Sequence, residues 1–151
     1  MRIYMDVCCL NRPFDDQSQE RIKLESEAVL MILHRCEICE WVLVGSEVIE
    51  LEISRIADPD RRAKVEMTYS IAKVRVTVDD EIKNRALEIE NMGFRSFDAL
   101  HIACAERAAD VMLTTDDKLL RMAIKNRDRL KVRIENPVKW LMEVFGWTSE
   151  P

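Results

Sequence analysis

Glycine and proline are scarce in this chain, with three and four residues among 151. These residues punctuate secondary structure, so their scarcity predicts a largely helical protein with short connections. No apolar run of about 18 residues is present, and we expect no membrane span. The first segment, MRIYMDV, meets an aspartate too early for a signal peptide. We therefore expect a cytoplasmic protein.

The cysteines are few and odd in number, at five. Without an export signal, this favours reduced thiols over a disulfide framework. The spacing Cys36-x-x-Cys39 occurs in zinc and redox sites, and His34 offers a third ligand. The sequence offers no fourth ligand for a zinc site. The pair also lies at the end of a helical pattern, whereas a redox motif is expected directly after a strand. Buried or incidental thiols are the preferred interpretation.

The formal net charge of −5 is unusual for a protein that binds nucleic acid. A nuclease that holds a metal with carboxylates concentrates negative charge in one pocket, so the charge does not exclude that class. Basic residues are also unevenly placed. Seven of them fall between positions 118 and 133, against the single acid Asp128: Lys118, Arg121, Lys125, Arg127, Arg129, Lys131 and Arg133. This stretch is either a solvated surface or a patch that guides RNA.

Short apolar segments alternate with helical patterns along the whole chain. The predicted strands cover residues 2–7, 41–44, 74–78, 111–114 and 131–134, with a loop at 11–16 after the first. This alternation predicts a mainly parallel sheet with helices on both faces, formed by residues 1–151 as a single domain. Ligands of such sheets bind beyond the carboxyl ends of the strands.

Two aspartates stand where predicted strands end, Asp6 in the first and Asp116 after the fourth. Aspartate is depleted in strands, and a buried carboxylate is costly without a partner. Each could instead cap the turn or helix that follows, as could Thr115 at the second position. The strand exit is where a site forms in this architecture, which favours a functional role for both.

Glu52 interrupts the apolar face of a helix that Ser46 can cap. At about 100° per residue, Glu52 shares a stripe with Val48 and Ile56. The neighbouring Glu47 and Glu50 point to the other side and are predicted to be ordinary solvated acids. A charge on the apolar stripe needs a cation or a pocket mouth, unless the stripe is partly exposed.

Asp98 is predicted in the first turn of a helix, where the helix dipole alone favours an acid. The stripe below it consists of Ile102, Ala105 and Ala109. Asp98 therefore lies at the N-terminal end of a stripe that is predicted to be buried rather than solvated, which strengthens a functional interpretation.

Together, these four acids are expected to meet at one end of the sheet. Clustered carboxylates repel one another unless a cation joins them. Hard oxygen ligands suit Mg²⁺ or Mn²⁺ rather than zinc. Such ions polarise a phosphodiester, activate water and stabilise the leaving oxygen.

The sequence resembles the PIN-domain family over nearly its whole length. The matching pieces are IYMD ending at Asp6, SEVIELE from Ser46 to Glu52, DALHIACA beginning at Asp98, and LTTDDKLL, whose Asp116 fits a Thr-x-Asp signature. The resemblance implies a three-layer α/β/α fold with about five strands and Mg²⁺- or Mn²⁺-dependent cleavage of RNA. It also implies frequent homodimerisation and, for many small members, a toxin neutralised by an antitoxin protein.

By this resemblance Asp6, Glu52 and Asp98 would be metal ligands, with Asp116 a fourth acid that orients water or a second ion. Thr114 or Thr115 would add hydrogen bonds within the site.

The sequence departs from the family where Thr-Asn often follows the first aspartate, because Val7 and Cys8 stand there. Asn11 could partly replace the missing polar pair. Asp117 could serve in place of Asp116. His101 suggests a general base, but it lies on a neighbouring stripe, and a packing histidine is the preferred interpretation.

Two alternatives stay open at the level of sequence. The first is a catalytically inactive PIN-like protein that binds RNA or acts as a scaffold, against which the presence of all four acids argues. The second is an aspartyl-phosphate phosphotransfer domain with Asp6 as nucleophile. That pattern needs a second aspartate where Cys8 stands, or a phosphoacceptor aspartate in the segment 74–78, which has none.

Overall fold

The computed structural model describes residues 1–146. Within that range, five short strands form one sheet. The strands are β1 (Arg2–Met5), β2 (Val42–Ser46), β3 (Val74–Val76), β4 (Val111–Leu113) and β5 (Arg133–Glu135). All neighbours are parallel, in the order β3-β2-β1-β4-β5. The prediction of a parallel sheet of about five strands is confirmed.

Helices connect the strands and follow the last of them. They are α1 (Val7–Asn11), α2 (Glu20–Glu37), α3 (Glu47–Ser54), α4 (Pro59–Tyr69), α5 (Asp80–Glu90), α6 (Ser96–Ala108), α7 (Asp117–Lys125) and α8 (Pro137–Val144). Helix α2 packs against α8, and α5 packs against α6. The result is the predicted three-layer α/β/α fold.

The strand order reverses direction beside β1. The chain builds outward from β1 through β2 to β3, then crosses back to β4 and β5 on the other side. Right-handed crossovers place the connections before and after this reversal on opposite faces. Ligands bind in the crevice that such a reversal opens at the carboxyl ends of the strands, here between β1 and β4.

The strands beside this crevice are buried on both faces. Ile3, Tyr4 and Met5 of β1 are fully buried, and so are Met112 and Leu113 of β4. Continuous burial is expected of a parallel sheet covered by helices on both sides. The residues that follow β1 and β4 are therefore anchored to strands buried on both faces.

The segment after β1 departs from the prediction, which continued the strand to Val7 and began a loop at Asn11. The structure has the helix α1 at Val7–Asn11 and a 3-10 turn at Arg12–Phe14. A helix of one turn and a half is too short to show a periodic pattern, which explains the miss. Its consequence is that Cys8 turns back toward the end of β1.

Two glutamates of α3 were predicted to be ordinary solvated acids, and this is wrong. Glu50 accepts hydrogen bonds from Tyr69 Oη and Arg75 Nε, both at 2.8 Å. Glu47 accepts one from the backbone N–H of Val78 at 2.7 Å. Both carboxylates therefore help to fix α3 against the neighbouring elements.

The cysteines are all free thiols. Cys36 is buried, whereas Cys39 is exposed and its Sγ lies 2.6 Å from Lys73 Nζ. Among residues 1–146, the pair belongs to no group of ligand atoms that could hold a metal ion. That these two cysteines are buried or incidental thiols stays a prediction.

Across residues 1–146, no helix is long and apolar enough to cross a bilayer. The prediction that residues 1–151 form a single domain stays a prediction, since residues 147–151 lie outside the described part.

Candidate metal centre

Asp6 and Asp116 follow the adjacent strands β1 and β4, and they cap the N-termini of α1 and α7. Asp6 Oδ1 accepts the backbone N–H of Cys9 at 3.2 Å. Asp116 Oδ1 accepts the N–H groups of Lys118 and Leu119 at 2.9 and 3.2 Å. Because β1 pairs with β4, both aspartates lie at the same edge of the sheet. Capping, which the sequence left as an alternative to function, holds both side chains at the crevice.

Cys8 and Thr114 link the surroundings of the two aspartates. Cys8 Sγ donates to Asp6 Oδ1 at 2.8 Å and lies 3.4 Å from Thr114 Oγ1. Thr114 Oγ1 in turn accepts the backbone N–H of Asp116 at 3.1 Å. The N–H of Thr115 points at Cys8 Sγ at 3.4 Å. The threonines thus contribute hydrogen bonds beside the acids.

Asp6 is a buried carboxyl group, only 7% exposed. Burial raises its pKa well above the usual range, and a hydrogen bond from Thr114 partly offsets the rise. Desolvation disfavours the charged form of an acid. A bound cation would reverse this preference and restore the carboxylate.

Glu52 is held by a chain of buried side chains that runs through the core. Glu52 Oε1 lies 2.5 Å from His101 Nε2. The other ring nitrogen of His101, Nδ1, lies 2.6 Å from Tyr4 Oη. Tyr4 Oη lies 2.8 Å from Ser46 Oγ, which also accepts the N–H of Ile49 at 3.1 Å. The chain joins β1, the end of β2, α3 and α6.

The donors and acceptors along this chain follow from the carboxylate end. An ionised Glu52 only accepts, so His101 Nε2 carries the proton. A ring with its proton on Nε2 accepts at Nδ1 from Tyr4, whose oxygen then accepts from the hydroxyl of Ser46. Tyr4, Ser46 and both ring nitrogens of His101 are thus hydrogen-bonded, whereas one carboxylate oxygen of Glu52 has no hydrogen-bond partner in the described part of the chain.

Asp98 is half-buried in the first turn of α6. Burial raises its pKa, the charge of Asp116 raises it further, and His101 and Arg95 partly offset the rise. No side chain or amide within residues 1–146 donates a hydrogen bond to this carboxylate. Two acids that repel each other without a bonded cation are a suitable place for a metal ion.

The four acids interact electrostatically around the crevice. Glu52 and Asp116 both raise the pKa of Asp98, and Asp6 and Glu52 both raise that of the buried Tyr4 hydroxyl. Ligand atoms of three residues approach within 4.8 Å of one another in a single group in the described range, formed by Asp6, Cys8 and Cys9. No three of the four carboxylates come that close to one another in the described residues, so the expected convergence of all four acids at one ion stays a prediction.

The donor set fits a hard divalent cation. It consists of carboxylate oxygens, of which those of Asp98 have no hydrogen-bond partner among residues 1–146, with one thiol beside Asp6. Oxygen ligands of this kind suit Mg²⁺ or Mn²⁺.

Two residues considered as supporting members of the site bind elsewhere. Asn11 donates to the carbonyl of Val7 at 3.0 Å and accepts from Arg61 at 3.2 Å. Asp117 is exposed and forms an ion pair with Arg21 at 2.7 Å. Asp116 rather than Asp117 is the acid at the crevice.

Sequence reasoning missed the two residues that contact the acids, Cys8 and His101, and Tyr4, which contacts His101. Cys8 was considered only as a departure from the family pattern. His101 was interpreted as a packing histidine, and it is buried at 2% exposure, but it also holds Glu52. The available signal was a histidine inside the apolar run DALHIACA, since a buried imidazole requires polar partners.

The sequence model of the PIN domain matches residues 3–125. No curated protein matches the chain by sequence.

Solved structures with the same fold come from bacteria and an archaeon. FitAcB from Neisseria gonorrhoeae has a TM-score of 0.58 and 14% identity, covering 89% of this chain and 97% of its own. VapBC2 from Rickettsia felis, bound to a DNA fragment from its promoter, has a TM-score of 0.55 and 14% identity, covering 90% and 98%. PAE2754 from Pyrobaculum aerophilum has a TM-score of 0.53 and 17% identity, covering 98% and 91%. At these identities the similarity concerns the fold.

Proposed function

The chain belongs to the PIN-domain family, a family of nucleases, and from that premise we propose that it is a metal-dependent endoribonuclease. The observation that carries the proposal is the half-buried carboxylate of Asp98, which lies beside Asp116 and has no bonded cation within residues 1–146. Family membership also favours this function over an aspartyl-phosphate domain.

Asp6, Glu52, Asp98 and Asp116 would hold Mg²⁺ or Mn²⁺. Such an ion, when bound, supplies a Lewis acid and a low-pKa water for phosphodiester hydrolysis. The protein contributes position: the amides of α7 fix Asp116, the amide of Cys9 fixes Asp6, and His101 fixes Glu52. Groups whose orientation is set beforehand lose less freedom when the ion and substrate bind.

We further propose that the protein is the toxin of a toxin–antitoxin pair and forms a homodimer. The sequence resemblance and the similarity of the fold to FitAcB and VapBC2 support an antitoxin partner. Analytical ultracentrifugation of the purified protein tests the dimer, and co-purification with the product of the adjacent gene tests the partner.

The decisive assay is cleavage of a fluorescent single-stranded RNA by purified protein with Mn²⁺. We expect cleavage that EDTA abolishes, and a loss of at least about a hundredfold in Asp6→Asn and Asp98→Asn, as for removal of one group that stabilises a transition state. Asp117→Asn is the matched control, because this adjacent acid is paired with Arg21, and it should cut like the wild type.

Unchanged cleavage in Asp6→Asn would reveal a contaminating nuclease or a misplaced site. RNA binding without cleavage at any concentration of Mg²⁺ or Mn²⁺ would instead favour the inactive RNA-binding alternative.

A further inference from the structure

A groove beside Asp98 is lined by basic side chains. It has a volume of about 410 Å³ and runs between the segment before α6 and one face of α7. Arg95 contributes from the first side, and Lys118, Arg121 and Lys125 from the second. The three residues of α7 are spaced by three and four positions, which places them on one face of the helix.

These four cations differ from most arginines of the protein. Arg85, Arg107 and Arg75 are each bonded to a carboxylate, with distances from 2.7 to 3.0 Å. None of the four groove cations forms a side-chain ion pair or hydrogen bond within residues 1–146. With four cations against the acid Asp98 among its lining residues, the groove has a net positive charge, and this favours an anionic ligand.

The floor of the groove indicates which anion fits. Leu119 is buried and Met122 half-buried, and the aromatic ring that lines the groove, Phe94, is only 5% exposed. Nucleic-acid bases are held by exposed aromatic rings, and phosphates by lysine and arginine. The groove therefore suits a sugar–phosphate backbone rather than stacked bases.

We propose that this groove, defined by Arg95, Lys118, Arg121 and Lys125, binds the single-stranded RNA backbone that flanks the cleaved phosphodiester. The inference rests on the proposed nuclease function, because Asp98 lies in the same groove as these cations. An RNA strand bound in this groove would run past the acidic residues on the side of Asp98.

The sequence left two interpretations for the basic stretch at 118–133, a solvated surface or a patch that guides RNA, and the structure assigns different parts of the stretch to different surroundings. Lys118, Arg121 and Lys125 line the groove, whereas Arg127 lies in a 3-10 turn outside it and Arg133 forms an ion pair with Glu143. Part of the stretch is thus a ligand surface and part is not.

The test measures binding of a labelled 12-nucleotide RNA by fluorescence anisotropy in EDTA, where no metal-dependent cleavage occurs. Arg121→Gln combined with Lys125→Gln should weaken binding at least about tenfold at low salt and reduce the slope of log Kd against log salt by about 1.4, the value for two phosphate contacts on a single strand. The matched control, Arg127→Gln combined with Lys83→Gln, removes the same charge from positions outside the groove. It should change both quantities much less.

Equal losses in the two double variants would overturn the inference, since net charge and not the groove would then set the affinity. Competition by a polyglutamate peptide as effective as competition by RNA, at matched ionic strength, would also overturn it in favour of an acidic protein segment. If RNA binding depended on the groove residues but no Mn²⁺-dependent cleavage occurred, the nuclease function alone would be contradicted. If the groove variants cleaved RNA as the wild type does, the role of the groove alone would be contradicted.

Discussion

Glu52 and Asp98 are both half-buried acids at the same end of the sheet, but their surroundings differ. Glu52 is bonded through one carboxylate oxygen to His101, which is bonded to Tyr4. Asp98 lies one helical turn before His101, and within residues 1–146 nothing donates to it. The orientation of Glu52 is therefore fixed by a neighbouring side chain, whereas that of Asp98 is not.

This difference separates two tasks that a metal site requires. Hydrogen bonds from neighbouring side chains set the orientation of a ligand, and their loss commonly weakens metal binding. A carboxylate that has no hydrogen-bond partner and lies near another acid favours the binding of a cation, because its charged form is unfavourable without one. The protein therefore orients a carboxylate by a hydrogen bond on one side and leaves a carboxylate without a bonded partner on the other, within residues 1–146.

The largest expected effect comes from removing the orientation of Glu52. His101→Leu deletes the donor to Glu52, and we expect the affinity for Mn²⁺ to fall about 10- to 100-fold, as for other residues that orient metal ligands. Titration followed by the electron paramagnetic resonance of Mn²⁺ measures this directly.

His101→Gln, which retains an N–H donor, should recover part of the affinity. Tyr4→Phe removes only the hydroxyl that donates to His101 and should give a smaller loss. If His101→Leu bound Mn²⁺ as the wild type does, Glu52 would not depend on this chain for its position.

The next effect concerns the uncompensated charge of Asp98. A carboxyl group whose pKa is raised by folding stabilises the folded state in its neutral form, and that contribution is lost as the pH rises through the folded pKa. Asp98→Asn removes the charge, so in EDTA at pH 8 we expect it to be more stable than the wild type. A gain of about 1 kcal/mol would raise Tm by about 2–4 °C in a domain of this size.

The difference in Tm should shrink as the pH is lowered toward 4. Asp117→Asn serves as the control of opposite sign, because Arg21 lowers the pKa of Asp117 and its removal should bring no gain. Mn²⁺ should raise the Tm of the wild type and leave that of Asp98→Asn nearly unchanged. A lower Tm for Asp98→Asn at pH 8 would mean that Asp98 has a compensating partner.

The smallest effect is expected at Cys8. A serine hydroxyl can donate to Asp6 as the thiol does, so Cys8→Ser should keep kcat/KM within about threefold of the wild type, a change under about 1 kcal/mol. The RNA cleavage assay measures it. A loss comparable to that of Asp6→Asn would show that sulfur itself is needed at the centre.

The sequence was sufficient to predict the parallel sheet and the positions of most helices. Alternation of apolar segments with helical patterns located the strands, and the helical wheel separated Glu52 from Glu47. Local patterns could not locate α1, which spans five residues. They also could not predict contacts between distant positions, such as the bond between Tyr4 and His101.

The same limit applies to the basic stretch after β4. Charge alone did not distinguish Arg121, at the groove, from Arg127, outside it, because the distinction depends on where α7 ends and which face packs on the sheet. Glu47 and Glu50 were misjudged for a related reason, since their partners come from a later part of the chain.

The buried chain from Ser46 to Glu52 has a consequence for anyone who screens random variants of this protein. Ser46 and Tyr4 are fully buried, and Tyr4 lies in the central strand. Changes at either position would look like ordinary damage to the hydrophobic interior. Yet a variant at either position that still folds would leave the carboxylate of Glu52 misaligned. Such a variant would pass a screen for stability and fail a screen for activity.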